Sequence, residues 1–325
     1  MNDSASGRRQ SAEVTAGEAG LRLDVYLVRA LPGTSRRLAD RLIREGRVLL
    51  NDRPARKGCF LAEGDRVSLP VVYSQTMQVD PEPDLPLTVL YEDRDVLVVE
   101  KPAGIHTHPL VPGEKGTLAG ALVARYPGIS RVGFSMREPG ILHRLDKGTS
   151  GALLVARNAH AFEHLRRQFT EGRVEKIYLA VVHGRTPKRG SIELALVKSG
   201  PRGEKMMAVE PEQARRAKAW PAQTRFRTLE ARAGFSLCEV KIRTGARHQV
   251  RVHLAHIGHP VAGDAMYGAS PAPEDRLIPD RHLLHAWKIS FDHPRNPGRI
   301  HVKSEMPVDM KAFWEGLEPE KSSEQ

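Results

Sequence analysis

The segment HRLDKGTSG, at positions 143–151, brings potential catalytic side chains close together in the sequence. His143, Asp146 and Ser150 are the residue types of a serine hydrolase triad. The nucleophile turn of many such enzymes, G-x-S-x-G, requires glycine at position 152, where this chain has Ala152. Triad members also normally come from distant segments, so the pattern does not favour a serine hydrolase.

A histidine-rich stretch further along the chain could instead bind a metal ion. Its members are His248, His253, His256 and His259. Arg247 and Arg251 lie among them, and their positive charge disfavours a bound cation. Because no glutamate completes an H-E-x-x-H pattern, surface histidines are favoured over a metal site.

Asp146 could act with a second carboxylate, as in glycoside hydrolysis, or it could act alone. Asp264 is a possible partner, but the spacing does not select the two as a pair, and the sequence leaves that pair open. A single ionised carboxylate can be a nucleophile or the electrostatic partner of a sugar carbon that develops positive charge. In a desolvated pocket it needs a nearby cation, for which Arg144 and Arg251 are candidates. The alternative to a catalytic Asp146 is a purely structural ion pair between Arg144 and Asp146 within the loop.

The composition favours a polyanionic partner. The 325 residues include 50 basic and 39 acidic side chains, for a formal charge of +11. The two cysteines, Cys59 and Cys238, are too few for a disulfide framework or a zinc ribbon, which fits a reducing cytosol. No apolar run approaches the roughly 20 residues that span a bilayer, and the N-terminus lacks a signal-peptide core. We therefore expect a cytoplasmic protein without a membrane segment.

Prolines divide the chain into two predicted domains. Pro81, Pro83 and Pro86 indicate a stiff linker over 73–86, between a domain at 19–72 and a larger one at 87–315. Polar tails at 1–18 and 316–325 are predicted to be disordered. The larger domain alternates strand-like and helix-like segments, which predicts an α+β fold on one large mixed or antiparallel sheet with flanking helices. KIYLAVVHG, apolar on both faces, is predicted as a central strand of that sheet.

The smaller domain has a predicted helix with two stripes, one apolar and one basic. Ser35 is its expected N-cap and Gly46 its stop, and Arg37, Arg41 and Arg44 form the basic stripe. Short strands around an Asn-Asp turn follow. The segments that carry a family resemblance are RLD at 22–24, SRR at 35–37, LI at 42–43, GRV at 46–48, Asn51 and GD at 64–65. In this order the domain resembles the S-four RNA-binding module, named for the fourth protein of the small ribosomal subunit. The resemblance implies an α/β module whose arginine face docks on an RNA backbone without reading its sequence.

The larger domain contains an ordered set of motifs. They are VVEKPAGIHTHP at 98–109, GILHRLDKGTSGALLVAR at 140–157, KIYLAVVHG at 176–184, PAQTRF at 221–226, RTGARHQVRVHLAHIGHPVAGDAMYG at 243–268 and LLHAWKISFDHP at 283–294. In this order they resemble the RluA-type pseudouridine synthases over most of residues 87–305. With the S-four-like module upstream, the resemblance implies an isomerase that converts uridines of large-subunit ribosomal RNA to pseudouridine. The uracil would leave the sugar through its nitrogen and rejoin through a ring carbon, so no cofactor and no metal are implied. We expect the protein to act on RNA as a monomer.

The resemblance also assigns roles to individual residues. Asp146 matches the family's essential aspartate, Tyr178 the tyrosine that stacks on the base, and Arg251 the arginine that pairs with the aspartate. Further RNA contacts are expected from Arg144, Arg247, His248 and Gln249. The family usually reads Thr-Gly-Arg-x-His-Gln, whereas this chain reads TGARHQ, with the arginine displaced by one position.

A uridine inside folded RNA must be extruded before an enzyme can rearrange it. The small turn Gly148-Thr149-Ser150-Gly151 is expected to leave room for that flipped nucleotide beside Asp146.

The rival hypothesis is a non-enzymatic RNA-binding or ribosome-assembly protein on the same scaffold. Such a protein would not need Asp146, Tyr178 and Arg251 together.

Overall fold

The computed structural model describes residues 9–30, 36–70, 78–133, 135–201, 203–268 and 280–318. The chain forms two compact units. The first comprises Met1–Leu85 and His108–Gly140, and the second comprises Pro86–Thr107 and Ile141–Gln325. The second unit holds the large sheet and every predicted catalytic residue.

The first unit contains two helices and a four-stranded sheet. The helices are α1 (Leu23–Ala30) and α2 (Arg36–Arg44). The strands are β1 (Arg9–Glu13), β2 (Leu49–Leu50), β3 (Arg53–Pro54) and β4 (Arg66–Pro70), in the order β1-β4-β2-β3. One apolar core joins both helices to the sheet, with Leu27, Leu42 and Val67 among its buried members.

Two local predictions for this unit are confirmed. Asn51 and Asp52 both have positive φ and form the two-residue loop between β2 and β3, as the Asn-Asp turn predicted. Gly46 follows α2 with a φ of 65°, the left-handed conformation that ends a helix. Ser35, the predicted N-cap, lies outside the described residues.

The prediction of a disordered tail over 1–18 is wrong for residues 9–18. Arg9–Glu13 forms β1, which pairs antiparallel with β4, and Val14 is buried in the core of the unit. The polar composition of the segment conceals this strand because an edge strand gains its hydrogen bonds from one neighbour and needs few apolar side chains. Residues 1–8 lie outside the described part of the chain.

The second segment of the first unit carries helix α3 (Leu118–Arg125), which Thr117 caps through its side chain. Part of the predicted linker packs against the start of this helix. The Glu82 carboxylate accepts hydrogen bonds from the backbone of Gly116 and Thr117, and the Glu82 N–H donates to the carbonyl of Gly120. These bonds tie residues 78–85 to 108–140, although the two are distant in sequence.

The second unit is built on one nine-stranded sheet. Its strands are β5 (Thr88–Glu92), β6 (Val96–Lys101), β7 (Ser150–Ala156), β8 (Glu175–His183), β9 (Arg189–Ile192), β12 (Thr224–Arg232), β13 (Phe235–Ile242), β14 (Leu284–Asp292) and β15 (Arg299–Lys303). Their order is β5-β6-β7-β14-β8-β13-β12-β9, with β15 paired to β14. The β7–β14 pairing is parallel and the others are antiparallel. The predicted α+β fold on a mixed sheet is confirmed, and β8 is the central strand that KIYLAVVHG predicted.

Helices and a small hairpin flank this sheet. The hairpin strands are β10 (Ala195–Ser199) and β11 (Lys205–Val209). The helices are α4 (Ala159–Thr170), α5 (Pro211–Arg216), α6 (Gln249–His256) and α7 (Val308–Glu315). Asn158 caps α4 through its side chain, and Gly172 follows that helix with a φ of 67°.

The predicted C-terminal tail begins inside the folded core. Leu317 is buried with Met310 and Trp314 of α7, so the prediction of disorder from residue 316 is wrong for residues 316–318. Residues 319–325 lie outside the described part of the chain. Among the described residues, no helix combines the length and the apolar character needed to cross a bilayer.

Candidate active site

The Asp146 loop runs into β7 and is fixed from one side by the segment that follows β6. The Thr107 hydroxyl donates to the carbonyl of Leu145 at 3.0 Å and accepts from its N–H at 3.2 Å. The carbonyl of Lys147 accepts from the N–H of Gly104 at 2.8 Å and from Lys101 Nζ at 3.2 Å. The residues on either side of Asp146 are therefore both anchored, which holds its backbone in one conformation.

Lys101 is an unusual anchor because its ammonium is completely buried. It also donates to the carbonyls of Pro102 at 2.8 Å and Ile105 at 2.9 Å. Burial lowers the pKa of Lys101 to about 7, and the negative charge of Asp146 opposes that shift. The positive charge of Lys101 thus depends on the three carbonyls and on Asp146.

The opposite side of the loop is held by the residues that precede β14. Arg281 donates to the carbonyl of Gly148 at 2.9 Å and pairs with Asp309 at 2.7 Å. The His282 ring lies 2.8 Å from the Thr149 hydroxyl, and a Cβ atom at Gly148 would lie 2.8 Å from that ring. The absence of a side chain at Gly148 therefore accommodates His282.

Gly151 is required by a close approach of two strands. It has a φ of 115°, and a Cβ atom there would lie 2.3 Å from the carbonyl oxygen of Ala286 in β14. The expectation that the turn 148–151 leaves room for a nucleotide stays a prediction, since a cleft borders Gly148. Its glycines accommodate His282 and the backbone of β14.

Tyr178 lies on β8, where the pairing with β14 is irregular. The register shifts between His285 and Lys288 of β14, opposite this part of β8, and such bulges are common beside active sites. Only 7% of Tyr178 is exposed. Burial, together with the charge of Asp146, raises the pKa of the Tyr178 hydroxyl far above its ordinary value, so it is a neutral phenol at pH 7. Among the described residues, that hydroxyl has no hydrogen-bond partner.

Asp146 and Arg251 are brought together across the fold. Arg251 Nη1 lies 3.0 Å from Asp146 Oδ2, and the same guanidinium grips Asp264 through Nε at 2.7 Å and Nη2 at 2.8 Å. Asp264 is completely buried and also accepts from the N–H groups of Met266 and Tyr267. Arg251 is therefore held bidentately by Asp264 and presents its remaining nitrogen to Asp146.

The pKa shifts of Asp264 and Arg251 follow from the burial of this group, which we call the Asp146–Arg251–Asp264 triad. Burial by itself would lower the pKa of Arg251, but the two carboxylates raise it above the ordinary value. Burial would raise the pKa of Asp264, and Arg251 lowers it overall. Asp146 is 19% exposed in its side chain, and among the described residues its Oδ1 accepts no hydrogen bond. One oxygen of Asp146 is thus fixed while the other is available.

His248 lies beside this triad at a left-handed backbone position, with a φ of 56° before α6. Its Nε2 is 3.8 Å from Asp146 Oδ1, and its Nδ1 is 2.7 Å from the Tyr267 hydroxyl. Burial lowers the pKa of His248 to about 4, so the ring is neutral at pH 7. The Tyr267 ring also lies under Arg251, with 5.1 Å from Cζ to the ring centroid.

The other residues predicted to contact RNA have different environments. Gln249 is buried, and its amide bonds to Thr244, to the backbone of Ala246 and Gln223, and to Thr224. The prediction that Gln249 contacts RNA is therefore wrong, since all its hydrogen-bonding groups are used inside the protein. Arg247, the displaced arginine, donates to the carbonyl of Gly203 at 3.3 Å and lies against His248.

Arg144 does not pair with Asp146 in the described part of the chain. Its side chain is exposed, and the ion pair of Asp146 is with Arg251, while the neutral His248 ring lies 3.8 Å from its other oxygen. Of the two candidate cations, Arg251 lies beside the carboxylate. The segment therefore does not form the loop ion pair between Arg144 and Asp146.

The alternative catalytic arrangements are not assembled. His143 Nε2 accepts from the N–H of Leu154, whereas the hydroxyl of Ser150 lies 3.0 Å from His285 Nδ1. His143, Asp146 and Ser150 therefore form no triad. Asp264 does approach Asp146, but it is enclosed and committed to Arg251. It therefore has no access to a substrate as a second catalytic acid.

The arginines predicted on α2 lie in the first unit. Arg41 and Arg44 are exposed, and Arg44 is paired with Asp40, which also contacts Lys57 at 3.2 Å. The backbone of Arg37 belongs to α2, while its side chain lies outside what the structure describes. Arg41 therefore presents the more available charge of the two described arginines.

A cleft of about 810 Å³ borders the triad. It reaches Arg251 and the residues Lys147 and Gly148 that follow Asp146, and Ala103, Met266 and Phe313 give it a largely apolar wall. This volume is within the range of small-ligand sites. The cleft meets the triad at Arg251 and along the backbone after Asp146.

Sequence reasoning missed three supports of this site. Asp264 was weighed only as a second catalytic acid, and Lys101 and Arg281 were not singled out. Asp264 and Lys101 lie inside two of the motifs and Arg281 lies just before a third. A charged residue within an apolar motif indicates a buried charge that needs a partner, but the sequence does not show which residue that partner is.

Comparison with known proteins places these residues in a family. A family model described as RNA pseudouridylate synthase matches residues 95–256, and a model described as the S4 domain matches residues 21–67. An uncharacterised RNA pseudouridine synthase of Aquifex aeolicus is 37% identical, over 91% of this chain and 94% of the relative. The ribosomal large subunit pseudouridine synthase D of Neisseria meningitidis serogroup B is 35% identical, over 90% of this chain and 77% of the relative.

A solved structure agrees with the sequence comparison. The structure of human RNA pseudouridylate synthase domain containing 1 superposes with a TM-score of 0.57 at 30% sequence identity. The superposition covers 74% of this chain and 91% of the human chain.

Proposed function

This chain belongs to the RNA pseudouridylate synthase family, and on that premise we propose that it isomerises uridines of large-subunit ribosomal RNA, with Asp146 as the catalytic residue. The family reaction is an isomerisation of uridine to pseudouridine in RNA. The ribosomal substrate is inferred from the S4 domain at the N-terminus and from the Neisseria relative, whose name specifies the large subunit.

The observation that carries the catalytic assignment is the asymmetric environment of Asp146. Arg251 fixes one carboxylate oxygen at 3.0 Å, while among the described residues the other oxygen accepts no hydrogen bond. A positioned carboxylate with one free oxygen can act on a sugar carbon or on the base as positive charge develops. Because Asp264 holds Arg251 in turn, this geometry exists before the substrate arrives.

The reaction requires one bond to break and another to form on the same sugar carbon. The glycosidic bond to the uracil nitrogen is cleaved, the uracil turns, and a ring carbon bonds to the sugar. The ring carbon loses its hydrogen as a proton, and the freed uracil nitrogen gains a proton. The atoms of substrate and product balance without a redox step. Attack of Asp146 on the sugar, its addition to the base, and an elimination through a glycal all use this carboxylate.

Tyr178 is proposed to stack on the extruded uracil and to move a proton near the sugar. Its raised pKa keeps the phenol protonated, so it can donate or relay a proton but is not a ready-made base. The exposed Arg144 and the half-buried Arg247 and His248 are proposed to contact the RNA around the flipped nucleotide. The arginines of α2 are proposed to dock on the RNA backbone through the S4 domain.

The test compares Asp146→Asn with wild type on unmodified large-subunit ribosomal RNA, with chemical mapping of pseudouridine. Asp93→Asn is the matched control, since Asp93 is also a partly exposed aspartate with a charged or polar partner, His293, at 2.9 Å. We expect product from wild type and from the control and none from Asp146→Asn. Pseudouridine formation by Asp146→Asn would show that Asp146 is not the catalytic residue. Activity of wild type on another RNA but not on this one would remove the ribosomal substrate.

A further inference from the structure

A basic groove lies at the edge of the large sheet where several strands begin or end. It has a volume of about 300 Å³ and is bounded by the start of β8, the start of β12, the end of β13 and the start of β15. Its cationic members are Arg173, Arg225, Lys241, Arg243 and Arg299, and its acidic member is Glu175.

The cations of the groove differ in how far their charge is neutralised. Arg173 and Arg299 both pair with Asp292, at 3.0 and 2.9 Å, and Lys241 pairs with Glu175 at 2.7 Å. Two other arginines are exposed and form no ion pair in the part of the chain that the structure describes. They are Arg225 and Arg243. These two provide the available positive charge.

The strand register places like charges opposite each other at this groove. Arg225 of β12 is the direct partner of Lys241 of β13, whereas two pairs further along, on the same face, Arg227 faces Glu239 and bonds to it at 3.2 Å. Like charges directly opposite are destabilising, and the Arg227–Glu239 pair shows the complementary arrangement on the same two strands. Glu175 pairs with Lys241 and leaves the charge of Arg225 for an anion bound in the groove to offset.

The groove is connected to the catalytic residues through the chain. Arg243 immediately precedes the loop of Thr244, whose carbonyl accepts from Lys176 Nζ at 3.1 Å, and this loop leads into α6 and Arg251. Glu175 is three residues before Tyr178 on β8, about 10 Å along the strand, and this odd spacing places the two side chains on opposite faces of the sheet. The groove lies where the strands end, so a nucleic acid strand with its uridine at Tyr178 reaches the groove by turning around this end of the sheet.

We propose that this groove binds the phosphate backbone of the RNA beside the target uridine, with Arg225 and Arg243 as the phosphate contacts. The inference rests on the proposed function, since it assumes that RNA is the substrate. The guanidinium forks of the two arginines suit phosphate oxygens, which they can bind bidentately. Such phosphate contacts increase the affinity for RNA and help to position it at the Asp146 site, but they do not recognise the base sequence.

Equilibrium binding of a large-subunit ribosomal RNA transcript and of single-stranded oligouridine, measured from 0.1 to 1 M salt, tests the groove. For a single strand each phosphate contact contributes about 0.7 to the slope of log K against log salt, so the double variant Arg225→Gln/Arg243→Gln should bind about 25-fold more weakly at 0.1 M. The difference should vanish at 1 M. In turnover, KM for the transcript should rise while kcat is unchanged. The double lysine variant should keep most of the salt slope.

Arg227→Gln is the matched control, because it lies two residues from Arg225 on the same strand and lowers the net charge equally. Weaker binding by Arg225→Gln than by Arg227→Gln supports direct contact, whereas equal losses would overturn it. Polyglutamate binding that depends on Arg225 and Arg243, with RNA binding unaffected, would also overturn it. Absence of isomerisation by wild type would refute the proposed function but leave this binding comparison intact.

Discussion

Replacement of Asp264 by asparagine should separate the positioning of Arg251 from the chemistry of Asp146. Asp264 is completely buried and accepts four hydrogen bonds, two from Arg251 and two from the backbone of Met266 and Tyr267. An asparagine has nearly the same shape, but its amide nitrogen cannot accept from the guanidinium. Arg251 would then keep one of its two hydrogen bonds to residue 264, together with the contact with Asp146.

The expected magnitudes follow from burial. Removing one partner of a buried ion pair costs about 3 to 5 kcal/mol, and the retained hydrogen bonds place Asp264→Asn near the lower end. For catalysis, a shift of about 1 Å in a positioned group can cost about 100-fold in rate. Since Asp264 itself does not reach the cleft, kcat should fall by about this factor while KM for RNA changes little.

The assay is release of tritium from RNA labelled at the uracil carbon that forms the new bond, with urea unfolding measured in parallel. Asp95→Asn is the control for lost stability, since Asp95 is a buried carboxylate that accepts from Arg295 at 2.9 Å and from Asn158 at 2.8 Å. It should lower the free energy of unfolding and leave kcat unchanged. If Asp264→Asn unfolds less readily than Asp95→Asn, or retains wild-type kcat, the reasoning about Arg251 is wrong.

Three further outcomes are expected. Arg281→Lys keeps the charge but loses the planar fork that holds the Gly148 carbonyl, so kcat in the tritium assay should fall about 10- to 100-fold while RNA binding persists; wild-type kcat would contradict this. Buried neutral histidines with pKa values of about 3 to 4 should make the fold sensitive to acid. They are His143, His248, His282 and His285. Because the unfolded chain takes up protons near pH 6.5 and the folded chain only near pH 4, this stability is present at pH 7 and is lost as the pH falls. The loss is about 2 kcal/mol per histidine at pH 5, measured by urea unfolding, and equal stabilities at pH 7 and 5 would refute it. Arg41→Gln should reduce the salt dependence of RNA binding more than Arg44→Gln, since Asp40 already opposes Arg44; equal effects would argue against that difference.

Much of the fold was predictable because its signals are local. The cap at Asn158, the turn at Asn51 and Asp52, and the stop at Gly172 each depend on a few neighbouring residues. The apolar run of β8 likewise predicted a central strand. Strand β1 was not predictable in this way, because its polar sequence forms a strand only when β4 supplies the hydrogen bonds.

The sequence by itself indicated the family of this protein, since the ordered motifs that contain Asp146, Tyr178 and Arg251 resemble those of the pseudouridine synthases. It did not determine which groups support them. Hydrogen bonds and ion pairs act over about 3 to 4 Å, and the partners concerned come from segments far apart in the chain. Only the tertiary structure decided that Asp264 holds Arg251, that Gln249 is buried, and that the glycines after Asp146 accommodate His282 and β14.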